Sequence, residues 1–309
     1  MAIITHKDLS SEIDEFKFIF QKPTSIQQYL EVVFVFGSAD TNPENSIRSK
    51  FLEYINDKDT PFNFITIEAL YNDLRDYSFN GNPVTARRTA LVSLELQAIE
   101  QAYSLVIFPE SIGSYAELGY FTAIEETQTK IYVANDYNFS SESSYLNHLI
   151  DVIHNKRELR PLLMDFRSGN AEQIYEKFNL LIKNLSDGYR AKQHTPHIKN
   201  NKLLSLAITY ELIRFMPFLT FTQLRDSTKK LLKDFGFSFS GYDNTFAVNI
   251  SLLVVSGLID RIEKEATIYF VPVDTDHRFI NFSLTELEKA KEMDLYLDYQ
   301  ERYYSRIVE

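Results

Sequence analysis

The run Leu105-Val106-Ile107-Phe108 halts at Pro109 and Glu110, a turn bearing Ser111 and Gly113 follows, and a helical pattern resumes through Glu117 to Gly119. A short, wholly apolar run between breakers is a strand buried on both faces, the mark of a parallel sheet. A strand that turns directly into a helix belongs to an open α/β sheet, where ligands bind outside the carboxyl ends of the strands. On this spacing Glu117 falls in the first turn of the new helix. There the helix dipole and free N–H donors would keep a carboxylate ionised. An ionised carboxylate at a ligand-binding edge can serve as a nucleophile. The same residues also spell a Ser-x-x-Glu capping box, Ser114 to Glu117, in which the glutamate only reaches back to the backbone. Both readings stand at this point.

The rest of the first 190 residues repeats the alternation. Residues 8–30 read as helical, with Leu9, Ile13, Phe16 and Phe20 at helical spacing and Pro23 interrupting. Glu31 to Ser38 is a first strand ending in Gly37-Ser38-Ala39-Asp40, and Asn42-Pro43 would open a helix running through Ile55. A second strand covers 62–67, with Glu68 and a short helix to about Tyr77 after it. Residues 78–83 are a loop, and a long helix from about 84 to 103 contains Glu95. A fourth strand covers 130–136, a helix 141–153, a fifth short strand 159–166, and a last helix 171–185. This order specifies a Rossmann-like parallel sheet with helices on both faces. A single glycine after the first strand is not the Gly-x-Gly-x-x-Gly dehydrogenase fingerprint. A glycine-bearing turn leading to a helix N-terminus still suits a phosphate or ribose.

At 309 residues two domains are expected. Residues 186–202 carry Arg190, Lys192, Lys199 and Lys202 with Gly188 and Pro196 and little apolar content. The expected division is a helical arm at 1–30, a catalytic domain at 31–187, a basic linker at 188–201 and a second domain at 202–309. In that domain, helices at 202–214, 221–235 and 244–257 precede strands at 258–262 and 267–271, the order of a winged helix, and a terminal helix spans about 284–306. The third helix has almost no Arg or Lys to read bases. Arg225, Lys229, Lys230 and Lys233 are the candidates for contact with structured nucleic acid, or the domain contacts a protein, against a purely structural role.

The chain has no cysteine, which excludes disulfides, Cys-ligated zinc and thiol catalysis. Its six histidines are scattered, so no metal is expected. Thirty-two basic against 43 acidic residues, a formal charge of −11, argue against a DNA-coating protein. The N-terminal residues lack a signal-peptide pattern, and no apolar run reaches the roughly 20 residues that span a bilayer. A cytoplasmic protein with no membrane contact is expected, and the apolar arm at 1–30 packs on the main domain or on a second copy, as in a homo-dimer or larger assembly.

The segment Gly113-Ser114-x-x-Glu117-x-Gly119 resembles the Gly-Thr-x-x-Glu-x-Gly signature of nucleoside 2-deoxyribosyltransferases. The longer run from Ile107 to Gly119 is more similar to a deoxyribosyltransferase-like family of retron-associated antiphage effectors, on which residues 31 to about 189 can be laid. The resemblance implies that Glu117 attacks the anomeric carbon of a nucleoside. It matches Arg48 to an arginine one turn into the first helix, after a one-residue gap, against a plain solvated helix charge. It matches Ser93-Leu94-Glu95 to a Ser-Leu-Glu segment whose Glu95 either faces the sugar or is a plain surface residue. It further implies an effector that depletes NAD⁺ or nucleotides, held in check by a complex of retron reverse transcriptase and its RNA-linked DNA (msDNA). Ser114 in place of Thr and the added C-terminal domain depart from the metabolic transferases and favour hydrolysis over base exchange.

Cleavage of an N-glycosidic bond needs an anionic group beneath the anomeric carbon, contacts to the ribose hydroxyls, and a way to release the base. Glu117 suits the first role, and Glu110 or Asp40 the ribose or proton transfer. Gly37, Ser38, Ser111, Gly113 and Ser114 offer donors to a 5′-phosphate, with Arg48 and Glu95 added by resemblance. A nicotinamide leaving group already carries positive charge and requires no general acid. NAD⁺ or a nucleotide is therefore expected as substrate, with no separate cofactor. The alternatives are a catalytically inert nucleotide sensor and a metabolic deoxyribosyltransferase.

Overall fold

The computed structural model describes residues 6–42, 44–79, 82–83, 88–139, 145–157, 162–166, 170–189, 194–199 and 201–308. The chain forms two compact units, one of Leu30–Ala69 with Glu95–Ala191, the other of Met1–Tyr29, Leu70–Leu94 and Lys192–Glu309.

The first unit is built on five strands: β1 (Leu30–Phe36), β2 (Asn63–Ile65), β3 (Ala102–Ile107), β4 (Ile131–Asp136) and β5 (Leu162–Met164). Their order is β2-β1-β3-β4-β5 and every neighbouring pair is parallel. The chain steps outward from β1 to β2, then returns to the other side of β1 for β3. Between β1 and β3 the winding reverses, and a crevice opens beyond their carboxyl ends. The register sets Val35 beside Val106 and Phe36 beside Ile107, so the two strands end together.

Successive side chains of β1 alternate between faces. Val33 and Val35 join a core with Phe51 of helix Ile47–Ile55 and Phe178 of helix Ala171–Gly188, whose rings lie 5.1 Å apart. Phe36 packs its ring 5.2 Å from Phe121 of helix Ile112–Thr122. Both faces are thus covered, which is why β1 and β3 carry almost no polar residue.

Several boundaries differ from the sequence reading. The first helix begins at Ile47, capped by the Ser46 hydroxyl, and not at Asn42; Asn42 instead turns back to accept the Glu44 N–H at 3.0 Å. The reason is a better cap: Ser46 sits one residue before the apolar face of Ile47, Phe51 and Ile55. Pro43 lies outside the described residues, as do 141–144 at the start of the expected 141–153 helix, which is described over Tyr145–Arg157.

The second unit gathers pieces from three parts of the chain. Helices Leu204–Phe215, Phe221–Leu232 and Tyr242–Val255 precede antiparallel strands Ile259–Lys264 and Thr267–Pro272, with the short strand Leu219–Thr220 on the far side of the latter. Glu265 and Ala266 both take positive φ (50° and 58°), the pairing a two-residue hairpin turn demands.

The expected arm at 1–30 is not one helix, and residues 1–29 group with the second unit. Helix His6–Phe20 buries Leu9, Ile13, Phe16 and Phe20, with Phe16 and Phe20 rings 5.8 and 5.9 Å from Phe215. Past Pro23 the chain is a strand, Pro23–Gln27, between Ile280–Phe282 and His194–Thr195. Proline cannot continue the helix but tolerates the first place in a strand. Within the linker expected at 188–201, His194–Thr195 form a strand by the same pairing; Arg190 and Lys192 lie outside the described residues.

Residues 70–94 also belong here. Arg261 reaches Asp73 at 2.6 Å and Asp76 at 3.0 Å and bonds the Tyr77 hydroxyl, while the Tyr77 ring stacks on Phe221 at 4.6 Å. No described helix is long and apolar enough to cross a membrane.

Candidate active site

The loops after β1 and β3 are tied together by one carboxylate. Glu110 Oε1 accepts hydrogen bonds from the Ser38 N–H (2.9 Å), the Ser46 hydroxyl (2.8 Å) and the Arg48 N–H (3.1 Å), and its Oε2 accepts the Ile47 N–H at 2.7 Å. It thereby caps the helix that follows β1 with charge as well as geometry. Gly37 lies in the same knot. A Cβ there would stand 2.7 Å from both the Arg48 Cβ and Glu110 Oε1, so only glycine lets the loop pass. Glu110, expected to serve ribose or a proton, has its oxygens engaged in this scaffold.

The helix after β3 starts at Ile112 with Ser111 as its cap. Ser111 Oγ accepts the Ser114 N–H at 3.2 Å, and Ser114 Oγ accepts the Ser111 N–H at 3.0 Å and the Glu110 N–H at 3.1 Å. The capping box is therefore Ser111 with Ser114, and Glu117 has no part in it. Ser114 is fully buried and Ser111 also donates to the Gly37 carbonyl at 3.3 Å, so both hydroxyls are turned inward. Gly113 stands open, since a Cβ there would meet only Ser111 Oγ at 3.7 Å.

With the cap one turn earlier, Glu117 falls in the second turn of the helix, out of reach of the N–H groups that would have held it ionised. Its Oε2 is buried without a hydrogen-bond partner among the described residues. The carboxyl is pushed up to about 7, first by burial, then by the charges of Glu95 and Glu68, against the opposing pull of Arg48. This corrects the expectation of a firmly ionised side chain. Desolvation and like charges prevail because the helix-end donors are too far along the chain.

Arg48 is no solvated surface charge. Its side chain is only 7% exposed and Nη1 bonds Glu68 Oε1 at 2.9 Å. Glu68 is the residue that sequence reasoning passed over. It lies three residues past the carboxyl end of β2, in the first turn of helix Ile67–Leu74, an arrangement that could have marked it. Arg48, Glu68, Glu95 and Glu117 thus form one electrostatically coupled group at the sheet's carboxyl edge. Asp40 is not among the charges acting on Glu117. It is exposed, accepting the Asn42 N–H at 2.9 Å and the Asn45 amide at 3.1 Å. Ser38 Oγ accepts the Asp40 N–H at 3.2 Å. Beyond β4, Asp136 is buried and accepts the Asn138 N–H at 3.0 Å. Among the described residues no three histidine or carboxylate side chains are grouped as a metal site.

In the second unit, the cations considered for nucleic acid are mostly matched by carboxylates. Arg225 pairs with Asp226 at 2.9 Å, Lys229 with Asp243 at 3.3 Å and Lys230 with Asp14 at 2.7 Å.

A family model described as STM3845 retron effector protein matches residues 44–264, which include both Arg48 and Glu117. A segment of 59 residues is 37% identical to an Escherichia coli protein described as "Retron Ec86 putative ribosyltransferase/DNA-binding protein". That segment spans 19% of this chain and 19% of the E. coli protein.

Proposed function

The chain belongs to the family of STM3845 retron effector proteins, and on that footing we propose that it is an N-glycosidase that hydrolyses NAD⁺ or a related nucleotide, with Glu117 as nucleophile. The observation that carries this reading is the Glu117 carboxylate itself, excused from capping, half-shielded from water and lacking a partner for Oε2 at the crevice between β1 and β3. An unpaired buried acceptor costs stability, and such groups persist where function needs them.

In the proposed reaction a Glu117 oxygen attacks the anomeric carbon as the bond to nicotinamide breaks and its electron pair leaves with the ring. Neutral nicotinamide departs and a glycosyl-enzyme ester remains. Water then attacks the same carbon, yields ADP-ribose and a proton, and frees the carboxylate. A cationic substrate would favour the ionised form of Glu117 and so ready the nucleophile on binding. The open helix N-terminus around Gly113 suits the 5′-phosphate.

As an effector it would be held inactive by reverse transcriptase and msDNA. The order of three helices, a hairpin and a short flanking strand supports a winged-helix reading of residues 204–272. The paired state of Arg225, Lys229 and Lys230 favours contact with protein over contact with nucleic-acid phosphates. The test is nicotinamide release from NAD⁺ by wild type and by Glu117→Gln. Release by wild type alone supports the reading, and turnover by the variant overturns it. If neither releases nicotinamide, the assay is repeated on a nucleotide panel with and without the retron complex.

A further inference from the structure

Arginine and a carboxylate normally meet fork to fork, through two parallel hydrogen bonds. Arg48 and Glu68 make only one, from Nη1 to Oε1 at 2.9 Å. One further donor, Arg48 Nε, and the second acceptor, Glu68 Oε2, are buried atoms with no hydrogen-bond partner among the described residues, although the Glu68 side chain as a whole is 46% exposed. Orphaned polar atoms are costly and call for a partner. Arg261 Nε and Asp73 Oδ2 share the pattern, but only Arg48 and Glu68 both stand in the first turns of the helices that follow β1 and β2, at the carboxyl edge of the sheet. Glu68 and Arg48 also act on the Glu117 carboxyl, as Glu95 does.

We infer that the Arg48–Glu68 pair recognises the vicinal hydroxyls of a ribose, so that the substrate is a ribonucleotide and not a 2′-deoxyribonucleotide. Each hydroxyl of a cis-diol can donate one hydrogen bond and accept another. One hydroxyl donates to Glu68 Oε2 and its neighbour accepts from Arg48 Nε, which gives each orphaned atom a partner. Small side-chain adjustments on binding expose the two atoms, as is usual when catalytic contacts tighten around substrate. A sugar lacking the 2′-hydroxyl leaves one of the two buried groups unpaired, and sites built to bond a hydroxyl reject such analogues strongly. The inference rests on the glycosidase reading for the identity of the sugar beside Glu117, but concerns binding and not turnover.

The test is calorimetric titration of the full chain carrying Glu117→Gln with nicotinamide mononucleotide and adenosine 5′-monophosphate, each against its 2′-deoxy counterpart. The expected result is tighter binding of a ribonucleotide by about 100-fold over its deoxy partner. Adding Glu68→Gln should collapse that ratio toward one. A merely structural Glu68 would weaken both members of a pair alike and leave the ratio unchanged, which overturns the proposal. Equal or tighter binding of the deoxy form overturns it as well, and so does failure of both ribonucleotides to bind. Ribose preference without nicotinamide release by the wild type would sink hydrolysis and leave this proposal standing. Release without ribose preference would do the reverse.

Discussion

Glu110 Oε2 accepts the Ile47 N–H at 2.7 Å, joining the end of one central strand to the first turn of the helix that follows its neighbour. The carboxylate takes four hydrogen bonds there, all from groups that would otherwise compete for water. Glu110→Gln removes the charge and presents a donor where an acceptor is required. It should lower unfolding stability by about 1–3 kcal/mol, measured as a shift of the urea midpoint at constant slope. A change under about 0.5 kcal/mol, the size of an ordinary surface substitution, would contradict this role.

The two glycines of the site should behave oppositely. Gly37→Ala drives a methyl to 2.7 Å from Arg48 Cβ and Glu110 Oε1. Overpacking of that kind costs about 1–3 kcal/mol. Gly113→Ala meets nothing closer than 3.7 Å and sits in a helix, where alanine is favoured by up to about 1 kcal/mol. Thermal melts should show Gly37→Ala clearly below wild type and Gly113→Ala level with it or above.

Catalysis should follow the ionisation of Glu117. Only its ionised form can attack, and its carboxyl is pushed up to about 7 in the free protein. Plotted against pH, kcat/KM should therefore rise through an inflection near 7 and level off above it. An inflection below 5 would mean that the attacking group lies elsewhere.

The same carboxyl makes a stability prediction independent of turnover. Between its ordinary value of 4.5 and about 7 the folded chain keeps a proton that the unfolded chain gives up. Native stability is therefore lost as pH climbs through that window. Glu117→Gln removes the titration. Its melting temperature should exceed that of wild type at pH 8, and the advantage should shrink toward pH 5.

In the second unit, Arg261 holds Asp73, whose side chain is only 8% exposed, and burial raises the Asp73 carboxyl above the usual range despite that partner. Arg261→Met strands the buried carboxylate and should cost about 3–5 kcal/mol. Combining it with Asp73→Asn should recover part of the loss in a double-mutant cycle. Strict additivity of the two changes would rule out the coupling.

How much of this was legible before folding depends on the range of each interaction. The strands at Val32–Phe36 and Leu105–Ile107 announced themselves, because burial on both faces leaves an apolar run that no other element needs. The glycine turn after β1 was equally plain, although its cause, the 2.7 Å approach of Arg48 and Glu110, was not. The C-terminal helices and hairpin could be read from periodicity. Pro23–Gln27 could not be read as a strand, because its partners at 194–195 and 280–282 lie far along the chain.

The site divides along the same line. That a carboxylate would stand near the end of β3 was written in the local pattern from Ile107 to Gly119. Which serine caps the helix was not, since Ser111 and Ser114 are both suited to the task and only the β3 turn chooses between them. That choice moved Glu117 by one turn, away from the N–H groups and toward Glu95 and Glu68, and so reversed the sign of its shift. Local sequence determines where a strand or helix forms, because propensity and patterning act over a few residues. The state of a buried charge depends on desolvation and on charges brought in from distant segments, and only the folded chain assembles those.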